Sequence, residues 1–404
     1  MIALRAAPHG RPELGPATEL ACYGVGFFSL GLVPMMSLAV PLWAVELEAA
    51  PFLIGIAVGA RSVLPLLLSI HGGVVMDRLG VRRVMLWLAA GCVLLVPLYP
   101  ALPWLPALVL LQLLFGLAQG LAWVGAQTQI GQLTRGHPRH AGRFSFSSTA
   151  GTFVGPLAVG IAWDVGGGPG AFLTIGLWAA ALWLAILFLP RGEETAATAR
   201  SADWRALVPR LADYRAALAL AAVPAVAFVV IATFARIGTL SIQGSFYTVY
   251  LESIAFSGTE IGALIALAAI VAALAALLNG AMARVLSQGW TLVGGLVVST
   301  LAVAATPFFA GLSSLAALAV LFGIGIGLTF PPILTILSHA SGEARQGLSV
   351  GLRTTANRFA SLVVPVTMGA AADLFGLAGA FVVLGLALGV VLLIMAAMTR
   401  RFAL

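Results

Sequence analysis

Gly73-Val-Val-Met-Asp77-Arg78-Leu-Gly80-Val-Arg82-Arg83 sets Asp77, Arg78, Arg82 and Arg83 into one short run between two apolar stretches, residues 52–75 and 84–100. A helix needs about 20 apolar residues to cross roughly 30 Å of hydrocarbon. Both flanks approach that length, so the run reads as a tight polar turn between two membrane-crossing helices. Gly73 permits close helix contact and Gly80 a sharp reversal. The arginines suit anionic headgroups. A carboxylate such as Asp77 is favoured at the N-terminus of a neighbouring helix.

Working outward, the same length criterion places spans near 18–45, 52–75, 84–100, 106–133, 144–163, 170–189, 222–250, 260–283, 291–311, 314–338, 347–371 and 377–399. The 404 residues are 61% hydrophobic and 9% charged, with mean hydropathy +1.07. A soluble domain carries about 25% charged residues, so lipid is the solvent for most of this surface. The formal charge of +7 does not signal nucleic-acid binding, because the basic residues lie singly between apolar runs. All of them are arginine, as expected of a GC-rich bacterial genome. Cys22 and Cys92 both fall inside apolar stretches, which excludes a disulfide framework. Residues 1–17 lack a signal-peptide core, and the first span is expected to serve as its own insertion signal.

Arginine placement sets the expected orientation. With the N-terminus in the cytoplasm, 19 of the 21 arginines fall on inner segments, and the outer loops carry acids such as Glu46, Glu48, Asp164, Glu252, Glu260 and Asp373. Both termini are then cytoplasmic and the membrane is a bacterial inner membrane. Cysteines introduced at 164–170 and 252–258 are expected to react with an impermeant reagent outside sealed cells. Reaction at 195–205 instead would reverse the orientation.

The two halves repeat at an offset of 207–209 residues. Gly55 matches Gly262, Gly73 matches Gly280, Phe115-Gly116 matches Phe322-Gly323, and Gly120 matches Gly327. Gly142, Pro156, Gly160 and Asp164 match Gly351, Pro365, Gly369 and Asp373. One register held across four helix pairs is the mark of two similar bundles. Such repeats face each other across a midplane substrate site in alternating-access transporters. The polar segment Arg191–Arg215 separates them, giving an N-terminal bundle over 1–190, a cytoplasmic loop over 191–215 and a C-terminal bundle over 216–404.

The Gly73–Arg83 run resembles the signature loop of the major facilitator superfamily, G-x-x-x-D-R-x-G-x-R-R, and follows the second span as that loop does. Span count, central loop and repeat extend the resemblance over the whole chain. It implies an all-α membrane protein of twelve transmembrane helices, in two six-helix bundles related by a pseudo-two-fold axis. It also implies a gating role for Gly73, Asp77, Arg78, Gly80, Arg82 and Arg83. In the second half Arg284 stands at the Asp77 position, so that copy is degraded. In the fifth span, Gly142, Gly151, Gly155-Pro156 and Gly160 look like the glycine pattern of drug–proton exporters of the superfamily. The resemblance implies an ion-coupled exporter with the proton as coupling ion. It departs at Val159, where a second glycine is usual, and at Gln112, where those exporters carry arginine. Packing of a kinked helix explains the same glycines equally well.

Two arginines, Arg61 and Arg236, fall near the middle of the second and seventh spans. An unpaired arginine there costs about 2.5–3.5 kcal/mol on translocon scales, so both should avoid lipid. Gln243 and Tyr247 share the face of Arg236 at helical spacing. Gln112, Gln119 and Trp123 make a second polar-aromatic stripe on the fourth span. No acid lies centrally in any span. Central cations without central acids suggest an anionic group in the substrate, although each arginine can instead pair with carbonyls or amides to hold helices together. Arg353, Asn357 and Arg358 cluster at the inner end of the eleventh span. They either approach Asp77 as a cytoplasmic gate or snorkel to headgroups. Glu46 and Glu252 are candidate coupling groups or ordinary interfacial charges, and His71 and His339 fit capping or packing.

No nucleotide-binding loop, metal cluster or nucleophile arrangement is present, so no enzyme and no cofactor are expected. The expected partners are a small-molecule substrate, the lipid bilayer and a coupling ion, and the chain is expected to act as a monomer. Three functions stand: an ion-coupled exporter, an importer or exchanger of small organic anions, and a membrane sensor that binds without transporting.

Overall fold

The structure, a computed structural model, describes residues 15–134, 137–190 and 223–402. Every regular element among them is helical. The central loop expected over 191–215 lies outside the described residues, as do the side chains of Gly73 and Asp77.

Nine helices among the described residues are long and apolar enough to cross a membrane, and Gln288–Ala304 is a shorter apolar helix at the expected ninth span. Two of the nine exceed a single crossing. Pro138–Leu187 has 50 residues and Ser349–Phe402 has 54, which is about 75–80 Å at 1.5 Å per residue. Each contains a glycine in the left-handed region, Gly167 at φ 60° and Gly376 at φ 73°. These two glycines are 209 residues apart, in the register of the sequence repeat. Each long helix therefore reads as two crossings joined at that glycine, and the tally fits twelve.

Local chemistry starts the helices where the hydropathy pattern does. Pro16, Pro51, Pro138 and Pro224 occupy the first helical turn, where a missing N–H leaves nothing unsatisfied. Ser257 caps the eighth span and Glu260 bonds back to it, a full capping box. Gly80 turns the signature loop at φ 84°. Beside it Arg82 Nη2 donates to the Leu187 carbonyl at 2.8 Å, closing the C-terminus of the sixth span. That arginine is thus spent on a helix end within its own bundle.

Two seams join the helices before residue 190 to those after 223. The second span packs along the eleventh, and the fifth along the eighth. At these seams backbone meets backbone. A Cβ on Gly55 would collide with the Pro365 carbonyl, and one on Gly262 would meet the Pro156 carbonyl at 2.5 Å. Likewise Gly369 faces the Pro51 carbonyl and Gly160 the Gly258 carbonyl. Each contact in one seam is the repeat image of a contact in the other, at the same offsets of 207 and 209. Small residues allow this approach, which lets van der Waals packing hold helices together in lipid.

All of these contacts lie toward the end that carries Asp164, Glu252 and Asp373. Toward the arginine-rich end the matched pair Gly142 and Gly351 has nothing within 4 Å of a built Cβ. Among the described residues, the backbone contacts between the two bundles gather toward the acidic end.

Candidate functional site

Two spans, the second and the tenth, break near mid-depth, and the seventh breaks nearer the acidic end. The second runs as Pro51–Ala60 and Val63–Leu79, the seventh as Pro224–Gln243 and Phe246–Ser253, and the tenth resumes at Phe330 after Leu312–Gly327. Pro331 and Pro332 have no N–H to continue the ladder from the tenth span's first half. Breaks of this kind mark substrate sites in transporters.

The central arginines sit at these breaks. Arg61 lies with Ser62 between the two halves of the second span, and its Nη1 donates to the Val33 carbonyl of the first span at 3.3 Å. Its own backbone presses on the fourth span, because a Cβ on Gly116 would strike the Arg61 carbonyl. Arg236 Nε donates to Thr329 Oγ1 at 2.8 Å, which ties the seventh span to the break in the tenth. Its guanidinium carbon stands 5.4 Å from the centroid of the Phe330 ring.

The eleventh span brings a second arginine to each. Arg353 lies 5.8 Å from the same Phe330 centroid and is the cation whose field acts on Arg236. Arg358 acts on Arg61 in the same way, with its Nη2 3.8 Å from a Cβ built on Gly120 of the fourth span. The expected third cluster is thus divided between the other two. Arg353 and Arg358 stand beside Arg236 and Arg61 in the interior, and Asn357 between them is half-buried. The Nε atoms of Arg353 and Arg358 are buried without a hydrogen-bond partner among the described residues. No described carboxylate pairs with any of the four arginines; Glu19 reaches His140 and Arg143 instead.

The glutamine stripe of the fourth span turns the other way. Gln112 is buried and accepts a hydrogen bond from Tyr99 at 3.1 Å, while Tyr99 stacks on Phe172. Gln119 donates to the Ser29 carbonyl of the first span at 3.4 Å. Trp123 stacks on Phe144 with centroids 6.1 Å apart. All three bind helices of their own bundle. Gln243 and Tyr247 are buried on the seventh span and make no protein hydrogen bond among the described residues. Gly151 and Gly155 seat the fifth span against Phe27, Gly31 and Met35 of the first, and Pro156 lends its carbonyl to the seam with Gly262. Arg78 is half-buried and Arg83 exposed.

At the acidic end Asp164 crosses the seam. Its Oδ1 accepts from Gly258 N at 2.6 Å and its Oδ2 from Thr259 N at 2.8 Å, at the start of the eighth span. A carboxylate satisfies orphan N–H groups and meets the positive end of the helix there. Asp373, its repeat partner, makes no such bond among the described residues; the helix start it would cap offers Pro51, which has no N–H, at the place of Gly258. Glu46 and Glu252 come close enough at this end to repel each other.

Removing the Asp164 carboxylate with Asp164→Ala should weaken this closure by about 1 kcal/mol, roughly a fivefold shift toward opening. Cys22 and Cys92 are buried, so alkylation of a cysteine placed at Thr259 reads that opening over a low background. An unchanged alkylation rate would show that the cap does not hold the seam.

Sequence reading missed Thr329, Phe330 and the capping role of Asp164. It also missed a polar cluster between the first and fifth spans, where Glu19 and Tyr23 both contact His140 Nδ1 at 3.0 Å. The His339 ring bonds the Thr335 carbonyl of its own helix, as packing or capping predicts. His71 Nδ1 is buried without a partner among the described residues.

Comparison with known proteins bears on all of this. The family described as the Major Facilitator Superfamily matches residues 21–237 and 229–402. The chain belongs to the major facilitator superfamily. Solved structures agree with the superfamily fold. A crystal structure of the nucleoside transporter NupG aligns at TM-score 0.77 and 15% identity, covering 95% of this chain and 99% of that one. A POT family transporter in complex with 5-aminolevulinic acid aligns at 0.72 and 14%, covering 95% and 96%. A bacterial homologue of the human lysosomal transporter Spinster, inward-facing and unoccupied, aligns at 0.71 and 15%, also covering 95% and 96%. At such identities the likeness is one of fold. No curated protein matches the chain. As a superfamily member, the chain is an integral membrane transporter for a small molecule and not an enzyme.

Proposed function

We propose that this superfamily member carries small organic anions by alternating access, with the bound anion held between the two arginine pairs at mid-depth. The observation that carries the reading is the convergence of Arg61, Arg358, Arg236 and Arg353 from the second, seventh and eleventh spans without a described carboxylate among them. In a site of low dielectric, cations left without anions are costly, and a substrate carboxylate or phosphate offsets that cost through charge-assisted, bidentate bonds. With the orientation expected from the arginine distribution, the closely packed seams face outward, and access to the site would be from the cytoplasm. Rocking of the two bundles about the site would then expose it to the other side.

Ion-coupled export is the second finer reading. It rests on the glycine pattern of the fifth span, for which packing against the first span is a sufficient account. The test is flux in proteoliposomes. Uptake of a labelled carboxylate, accelerated by unlabelled anion on the opposite side, supports anion exchange. Acceleration by a proton gradient for neutral solutes, with no response to anions, would replace it by proton-coupled export. Binding without any flux would mark a sensor.

A further inference from the structure

From the division of the four arginines we infer that the substrate carries two separated anionic groups, one for each pair. This rests on the anionic reading above and narrows it. The pairs are distinct places. Arg61 and Arg358 meet where the second, fourth and eleventh spans converge, beside Gly116 and Gly120. Arg236 and Arg353 meet around the Phe330 ring, where the seventh, tenth and eleventh spans converge. Arg353 and Arg358 are five residues apart on one helix, which separates them by about 7.5 Å along its axis and about 140° around it. The two side chains leave the eleventh span in different directions.

Charge then limits what the site can close upon. Closing the arginine-rich end removes water from both pairs. A ligand with one anionic group compensates one pair and leaves the other as two buried like charges, a strongly unfavourable arrangement. A ligand with an anionic group at each end compensates both. Arg353 and Arg358, one in each pair, are only half-buried, so each pair keeps arginine surface for an incoming oxygen. Because Arg61 belongs to the first half and Arg236 to the second, such a ligand also bridges the bundles. Binding and closure become one event, which is what coupling of transport to occupancy requires.

The experiment is equilibrium binding to the purified full-length protein of butyrate, succinate, adipate, suberate and inorganic phosphate, with a neutral diol as control. Adipate or suberate should bind at least about tenfold more tightly than butyrate, one further charge-assisted contact being sufficient for that. Phosphate, whose charges share one centre, should behave as a single-ended ligand. Arg353→Gln and Arg358→Gln should each bring adipate down to the butyrate level, and Arg358→Lys should restore part of the loss. The melting temperature of each unliganded variant checks its folding. Adipate and suberate no tighter than butyrate, or phosphate tighter than both, would overturn the two-ended substrate and leave the anionic reading standing. Binding of the diol in preference to every acid would overturn both.

Discussion

Gly160→Val is expected to hold the acidic end open and to reduce transport at least tenfold. A Cβ at Gly160 meets the Gly258 carbonyl and the Thr259 Cα. Both are backbone atoms of a helix start, and neither can swing aside as a side-chain tip would. Overpacking of a well-fitted interior costs about 1–3 kcal/mol, and here the strain is relieved by parting the seam. Parting also breaks the two Asp164 bonds. The closed state loses on both counts, so a bundle pair that must close at each end in turn stalls with one end open. Alkylation of a cysteine at Thr259, which is half-buried at the seam, should speed up as flux slows. Gly142→Ala is the matched control, because nothing lies within 4 Å of a Cβ there, and it should leave both measurements unchanged. Normal flux in Gly160→Val would show that the observed seam is not an obligatory state of the cycle.

Arg236→Gln is expected to weaken anion binding ten- to a hundredfold. Hydrogen bonds to charged groups contribute about 1.5–3 kcal/mol, and Arg236 is one of the two cations at the Phe330 ring. Arg236→Lys keeps the charge but loses the planar fork and the Nε donor to Thr329, so its affinity should fall between wild type and Arg236→Gln. A purely structural arginine behaves differently. Losing the Thr329 bond alone would lower the melting temperature and spare the preference for acids over neutral ligands. The measurement is the ratio of acidic to neutral ligand affinity, taken with the melting temperature of each variant. Equal losses for both ligand types would return Arg236 to helix packing.

Much of the architecture was open to reading before any coordinates. The twelve apolar stretches follow directly from the length a helix needs to cross hydrocarbon. The repeat register went further than expected, since Gly55 packs on Pro365 and its match Gly262 packs on Pro156, the match of Pro365, across the seams. What the sequence left open was direction around a helix axis. Period tells that Gln112, Gln119 and Trp123 share a face, but not whether that face meets the cavity or a neighbouring helix. Here it meets Tyr99, Ser29 and Phe144. The arginines of the eleventh span were ambiguous for the same reason, and their separate destinations emerge only once the tenth span is seen to break before Phe330. The Pro331-Pro332 pair was a signal for that break. Asp164 was visible as an outer acid, but nothing along the chain says which helix start it would reach.

A protein assembled from two copies of one bundle would, if the copies were equal, have no preferred order in which its two joints give way. The imino acid at the head of the second span removes one of the two N–H groups that such a clasp uses, and that joint carries no such bond among the described residues. The joint between the second and eleventh spans is therefore expected to yield first, with the clasped joint of the fifth and eighth acting as pivot. Duplication supplies the shape of the machine, and the inequality of its joints is expected to set the sequence of motion.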